Sequence, residues 1–282
     1  MKYLILGNGY IGKYLLKTLP NATLCTTKVY NTEQLRDILK NQYPSYTLIN
    51  CAGKTGRPNI DWCEENKETT FVSNVWVPTL IAEVCKELGR YWVHIGSGCV
   101  YSGYDKEWTE EDIPNFIRSY YSKTKIWSQD ILSDYVEVCI LRIRMPIDED
   151  LQDRNYISKL VKYSNEGKSL FNAQNSMTIL SDMVKAIRFL TERGKTGTYN
   201  VVNKGSINAE ETMTLYEKYV GEVGYKIEAI EEVSKRLKAG RTNCILSTRK
   251  LEDLGFKMPE LKEGIIEILK NKGGKNGKPK TN

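Results

Sequence analysis

Histidine is almost missing from this sequence: among 282 residues there is one, His94. An active centre built on imidazoles is therefore hard to assemble, and no Asp/Glu/His cluster has metal-ligand spacing, so no metal is expected. Proline is sparse, with eight residues, and no apolar run approaches the ~18 residues that a membrane-spanning helix needs. Hydrophobic residues at 40% and charged residues at 27% exclude a collagen-like, disordered or membrane-embedded chain. The seven cysteines (Cys25, Cys51, Cys63, Cys85, Cys99, Cys139, Cys244) are odd in number and scattered, with no C-x-x-C pair. That argues against a disulfide framework or a zinc site and for a reducing, cytoplasmic setting. Met1-Lys2 leads into Tyr3-Leu4-Ile5-Leu6, too short an apolar run for a secretory signal, and no membrane partner is expected. The formal charge of +6 looks basic, but Lys270, Lys272, Lys275, Lys278 and Lys280 sit in a stretch with no acid. The remainder carries 6 − 5 = +1, which leaves no case for a nucleic-acid partner.

An alternation of strands and helices is present instead. Lys2–Leu6 reads as a buried strand, then comes Gly7-Asn8-Gly9-Tyr10-Ile11-Gly12, then a helix pattern (Ile11, Leu15, Leu16, Leu19) ended by Pro20. Strands are predicted over 22–27, 46–51, 91–95 and 136–143, and helices over 32–41, 66–88 and 119–133. This order implies the α/β class, a Rossmann-type doubly wound parallel sheet covered on both faces. Beyond about residue 147 the pattern loosens. Helices near 155–164, 181–193, 208–220 and 260–270 and a strand at 198–202 are predicted there. The expected division is a dinucleotide-binding domain over 1–147 with return segments near 176–203, a smaller, mainly substrate-binding lobe over 148–269, and a disordered basic tail over 270–282.

The glycine loop carries the first chemistry. Strand, G-x-G-x-x-G and helix form the context in which backbone approaches a pyrophosphate and a helix N-terminus faces it. Gly7, Asn8, Gly9, Tyr10, Ile11 and Gly12 are thus candidate cofactor residues. No acid closes the second strand; Thr27 and Lys28 stand there instead. A hydroxyl and a cation suit a 2′-phosphate, so NADPH is expected over NADH, with NADH retained as the alternative.

Tyr121 and Lys125 lie four residues apart in Tyr-Ser-Lys-Thr-Lys, on one helical face. A nearby ammonium and the nicotinamide's positive charge are expected to lower the tyrosine below its usual ~10. Ser97 follows an apolar strand in Gly96-Ser97-Gly98, where a hydroxyl can point at a bound carbonyl. These features in this order resemble the extended short-chain dehydrogenase/reductases. The likeness extends to Cys51, Ala52 and Gly53 after the third strand and to Asn74, which match positions around the cofactor in that superfamily. Within it the chain is similar to the nucleotide-rhamnose synthase/epimerase-reductases, related to dTDP-4-dehydrorhamnose reductases. The stretches that carry this are Thr55-Gly-Arg-Pro-Asn-Ile-Asp-Trp-Cys-Glu64, Gly98-Cys-Val-Tyr101, Pro114-Asn-Phe116, Leu141-Arg-Ile-Arg-Met-Pro-Ile147 and Asn175-Ser-Met-Thr-Ile-Leu180. The glycine loop departs from the superfamily's G-x-x-G-x-x-G by one residue.

The resemblance implies a substrate and a two-part reaction. The substrate would be a UDP- or dTDP-linked 4-keto-6-deoxyglucose, epimerised at C3 and C5 and then reduced at C4 to the β-L-rhamnose nucleotide. The family carries an epimerase cysteine at the position of Cys99 and a lysine at that of Lys159. In extended backbone Ser97 and Cys99 would point the same way. Tyr121 and Ser97 would stabilise first an enolate and then an alkoxide at one oxygen. Arg57, Asn59, Arg144 and Arg241 are candidates for the sugar diphosphate, since an arginine fork suits phosphate. A separate 4,6-dehydratase would supply the ketosugar, and a homodimer is compatible with the family. The alternatives are a reductase alone (dTDP-4-dehydrorhamnose reductase or GDP-fucose-synthase-like) or a non-catalytic NADP-binding regulatory subunit. A binding module has no need of an epimerase cysteine.

Overall fold

Alternate side chains of the first strand enter different cores. The computed structural model describes residues 1–29 and 31–275. Its strands are β1 Lys2–Leu6, β2 Ala22–Cys25, β3 Tyr46–Asn50, β4 Trp92–Ser97, β5 Gly103–Trp108, β6 Val138–Ile143, β7 Leu170–Phe171, β8 Gly197–Asn200, β9 Ile227–Glu228 and β10 Cys244–Leu246. Tyr3 and Ile5 join a core with Leu15, Ile49, Val93, Leu141 and Leu190, under helices Tyr10–Thr18 and Leu180–Glu192. Leu4 and Leu6 join Leu35, Leu80, Ile81, Trp92 and Ile140 on the other face. A strand whose two faces are both apolar is what a sheet covered on both sides requires.

The main sheet has the order β2-β1-β3-β4-β6-β8, and every pairing in it is parallel. The order reverses beside β1, so its C-terminal end and that of β3 flank the crevice where such sheets hold ligands. Two small parallel pairs, β5 with β10 and β7 with β9, were invisible to the periodicity. Each joins short segments more than fifty residues apart, and Gly-Tyr-Asp-Lys-Glu-Trp has no apolar stripe.

The long helix read over 66–88 is Lys67–Phe71, a wide turn at Val72–Trp76, and Val77–Glu87. The last helix, Leu261–Lys275, corrects the expected tail. Residues 270–275 continue it: Leu269 is fully buried, and Gly273 sits so close to Tyr219 that a Cβ would lie 1.9 Å from its carbonyl oxygen. The rest of that tail, 276–282, lies outside the described residues. No helix among the described residues is long and apolar enough to cross a membrane.

Candidate active site

The glycine loop is built on contact between glycines. A Cβ on Gly12 would lie 1.9 Å from the Gly7 carbonyl oxygen, and one on Gly7, at φ +109°, 2.5 Å from the Ala52 nitrogen. Helix and strand therefore approach as only glycine allows. Asn8 and Gly9 are exposed at the apex, and no side chain caps the helix that starts at Tyr10. Its first amides stay free for an anion, which fits a dinucleotide pyrophosphate. The Cys51 amide bonds the Leu6 carbonyl at 2.7 Å, bringing Cys51, Ala52 and Gly53 against the loop. Thr27 and Lys28 are exposed just past β2.

Some expected ligands serve the scaffold instead. The Tyr10 phenol donates to the buried carboxylate of Asp148, and the side chains of Tyr10 and Ile11 pack on the core. Asn74 is fully buried, and its amide is fully engaged. It accepts from the Lys54 amide at 2.7 Å and donates to the Lys54 carbonyl and to Thr124 Oγ1, each at 3.0 Å. It clasps the 53–54 loop to the helix of Tyr121 rather than touching a cofactor.

That helix, Tyr120–Leu132, starts from a Ser119 cap: the Ser122 amide donates to Ser119 Oγ at 3.0 Å. Ser122 Oγ donates to the Cys99 carbonyl at 2.7 Å, fixing the Cys99 turn to the helix. Cys99 is not extended, as the alternation argument required. The chain turns after β4, and the Cys99 amide donates to Ser97 Oγ at 3.1 Å. The turn still presents Cys99 to the same cavity as Tyr121.

Burial raises Tyr121 well above the usual phenol range; Cys99 adds to this and a hydrogen bond with Ser97 offsets part of it. The lowering expected from Lys125 is absent. Lys125 Nζ faces the Ile95 carbonyl at 3.5 Å and the Gly53 loop, and burial brings its pKa down to about 8. Tyr121 is therefore held as a phenol, the form that gives a proton.

A cavity of about 680 Å³ extends from Cys99 and Tyr121 into the second lobe, with Asn59, Arg154, Lys159 and Arg241 among its lining. Lys159 projects from helix Tyr156–Asn165; burial first, then Arg154 and Arg241, bring it to about 8. Asn59 Oδ1 accepts from the Asp61 amide at 2.8 Å. Asp61 accepts from the Ala239 amide and from Arg241 Nη1, both at 3.0 Å, while Glu64 accepts from the Tyr120 amide at 2.6 Å. The Asn-Ile-Asp-Trp-Cys-Glu stretch thus ties the 239–241 segment to the start of the Tyr121 helix.

Two of the four expected diphosphate ligands are not among the residues that line the cavity. Arg57 is exposed and does not line the cavity. Arg144 is 1% exposed; it donates to the Gly98 carbonyl (3.0 Å), Thr242 Oγ1 (3.1 Å) and Asn175 Oδ1. A Cβ on Gly98 would lie 2.8 Å from its side chain, so glycine there lets the arginine brace the Ser97–Cys99 turn from beneath. Its donors face the protein interior, where a diphosphate cannot reach.

Arg154 was missed. It donates to the Gly56 carbonyl at 3.0 Å and to Thr55 Oγ1 at 2.5 Å and lines the cavity beside Lys159. No local pattern marks it, because its partners are about a hundred residues away. Among the described residues no group of three or more His, Cys, Asp or Glu side chains could hold a metal ion.

A doubly wound sheet with a glycine loop at its crossover, and Ser97, Tyr121 and Lys125 around the end of β4, define an extended short-chain dehydrogenase/reductase fold. More narrowly, the chain belongs to the family described as the RmlD substrate binding domain, whose model matches residues 1–273. The bifunctional dTDP-4-dehydrorhamnose 3,5-epimerase/dTDP-4-dehydrorhamnose reductase of Arabidopsis thaliana is 34% identical over 95% of this chain and 92% of its own. A trifunctional UDP-glucose 4,6-dehydratase/UDP-4-keto-6-deoxy-D-glucose 3,5-epimerase/UDP-4-keto-L-rhamnose-reductase of the same plant is 32% identical over 95% of this chain. The chain spans 41% of that longer protein. The solved L780 UDP-rhamnose synthase of Acanthamoeba polyphaga mimivirus superposes with TM-score 0.89 at 28% identity, covering 96% of this chain and 99% of that one.

Proposed function

We propose that this chain converts a UDP- or dTDP-linked 4-keto-6-deoxy-D-glucose to the corresponding β-L-rhamnose nucleotide. It epimerises C3 and C5 and then reduces the C4 ketone with NADPH. The reductase half is the broader part of the reading and rests on the family, the glycine loop and the Ser97–Tyr121–Lys125 set. The epimerase half rests on one observation: Cys99 and Lys159 line the same cavity as Tyr121.

The C3 and C5 protons are acidic because both carbons neighbour the C4 carbonyl. Ser97 and Tyr121 hold hydrogen-bond donors where the enolate oxygen forms, and Cys99 and Lys159 exchange protons with the carbons. NADPH, when bound along the loop, supplies a hydride to C4. The Tyr121 phenol, which burial keeps protonated, then gives its proton to the C4 oxygen. Epimerisation precedes reduction, because reduction removes the carbonyl that acidifies the two carbons. Arg241 and Arg154, which line the cavity, would meet the sugar diphosphate. A 4,6-dehydratase supplies the ketosugar.

NADPH and NADH oxidation with UDP- and dTDP-4-keto-6-deoxyglucose tests this reading. Turnover of either ketosugar supports it, faster with NADPH; none with any pair of substrates overturns it.

A further inference from the structure

The carboxylate of Asp148 is 1% exposed and lies outside the cavity, yet it joins both halves of the site. Its Oδ2 accepts from the Tyr10 phenol, in the glycine loop, and from Asn155 Nδ2 at 3.4 Å. Asn155 Nδ2 also donates to the Asp148 carbonyl at 2.9 Å. Asn155 is fully buried and caps the helix of Lys159: its Oδ1 accepts from the Ile157 amide at 2.8 Å, and its carbonyl accepts from the Lys159 amide at 3.1 Å. A continuous run of hydrogen bonds therefore leads from the loop to the backbone of Lys159. Asp148 Oδ1 accepts in addition from the amides of Asp150 (2.8 Å) and Gln152 (3.4 Å), which holds the carboxylate in one orientation. The seam continues along the loop's helix, with Tyr14 donating to Glu149 at 2.8 Å and Lys17 to Asp150 at 2.9 Å.

We infer that Asp148 is a positioning residue for Lys159, and that through Tyr10 it ties the epimerising half of the cavity to the glycine loop. The inference rests on the proposed epimerase/reductase reading. A buried carboxylate with this many donors is a rigid node, and charge-assisted bonds of this kind are the strong ones. A phosphate on the amides around Tyr10 steadies the loop, hence Asp148, Asn155 and the first turn that carries Lys159. Tyr121 and Ser97 stand on other elements, β4 and helix Tyr120–Leu132, so reduction lies off this path. Epimerisation consumes no dinucleotide, but on this geometry it runs faster with one bound.

The test is the rate of deuterium incorporation at C3 and C5 of the ketosugar in D2O, with and without saturating NADP+, which binds but cannot reduce. In the unaltered protein NADP+ is expected to speed exchange about fivefold or more. In Asp148→Asn, exchange falls about tenfold and that gap closes, while kcat for reduction of pre-epimerised ketosugar stays within about threefold. Tyr10→Phe, which removes one hydroxyl and guards against misfolding of the first variant, closes the gap as well. Wild-type exchange in Asp148→Asn, or exchange and reduction falling together in both variants, overturns the inference. Intact reduction with no exchange in the unaltered protein under any condition overturns the epimerase reading, and the inference with it.

Discussion

The amide of Cys99 donates to the hydroxyl of Ser97 at 3.1 Å, so the candidate epimerase thiol and the candidate reductase hydroxyl share one turn. Arg144 braces that turn from below and Ser122 ties it to the Tyr121 helix. On the proposed reading two chemistries at one oxygen would need their groups fixed relative to each other, and this turn holds Ser97 and Cys99 together.

Cys99→Ala removes the thiol and leaves the Cys99–Ser97 backbone bond in place. Reduction of pre-epimerised ketosugar is expected to stay within about threefold, while deuterium incorporation at C3 or C5 is lost. Full incorporation in this variant removes Cys99 from the mechanism.

Tyr121→Phe deletes the proton donor without changing the volume of the cavity wall. Steady-state NADPH oxidation should show kcat reduced about 10²-fold or more, with NADPH affinity, read by fluorescence titration, little changed. A kcat near that of the unaltered protein assigns the proton to another group.

Lys159 titrates at about 8 because it is buried beside Arg154 and Arg241, against about 10.4 in an unfolded chain. Between these values the unfolded state holds more protons, so this group's contribution to stability rises with pH across that window. Below about 8 its full penalty is present. Lys159→Met should therefore be more thermostable than the unaltered apoprotein at pH 7, with the difference shrinking toward pH 10. A difference in Tm that does not vary with pH contradicts this.

Arg144→Met removes the charged donor that the Gly98 carbonyl, Thr242 Oγ1 and Asn175 Oδ1 share. Charged hydrogen bonds contribute about 1.5–3 kcal/mol each and do not add fully, so a loss of about 3 kcal/mol is expected in denaturant unfolding. Were Arg144 a diphosphate ligand instead, KM for the sugar nucleotide would rise with stability unchanged.

The main sheet was legible because its strands are apolar runs bounded by turns, and the glycine loop because its chemistry is local to six residues. Tyr121 and Lys125 were legible from one helical turn. The roles of Asn74 and Arg144 were not, because a polar residue reads the same whether it meets a ligand or a backbone carbonyl. Arg144 bonds Gly98 and Thr242, and Asn74 bonds Lys54 and Thr124, partners that no spacing rule reveals. Cys99 is named by the family resemblance, and the geometric argument beside it fails: the strand ends at Ser97, and a turn, not strand alternation, presents the thiol. The end of the last helix was misjudged because Lys270–Lys275 carries no apolar side chain, and Gly273 packs through its lack of one.

The central claim is that one cavity performs both epimerisation and reduction. The most direct measurement is the NMR spectrum of the product formed from UDP-4-keto-6-deoxyglucose and NADPH in D2O, or from the dTDP-linked ketosugar if that is the one consumed. The account predicts a β-L-rhamnose nucleotide with deuterium at C3 and C5. A 6-deoxy product that keeps the D-configuration and carries protium at both carbons would contradict it.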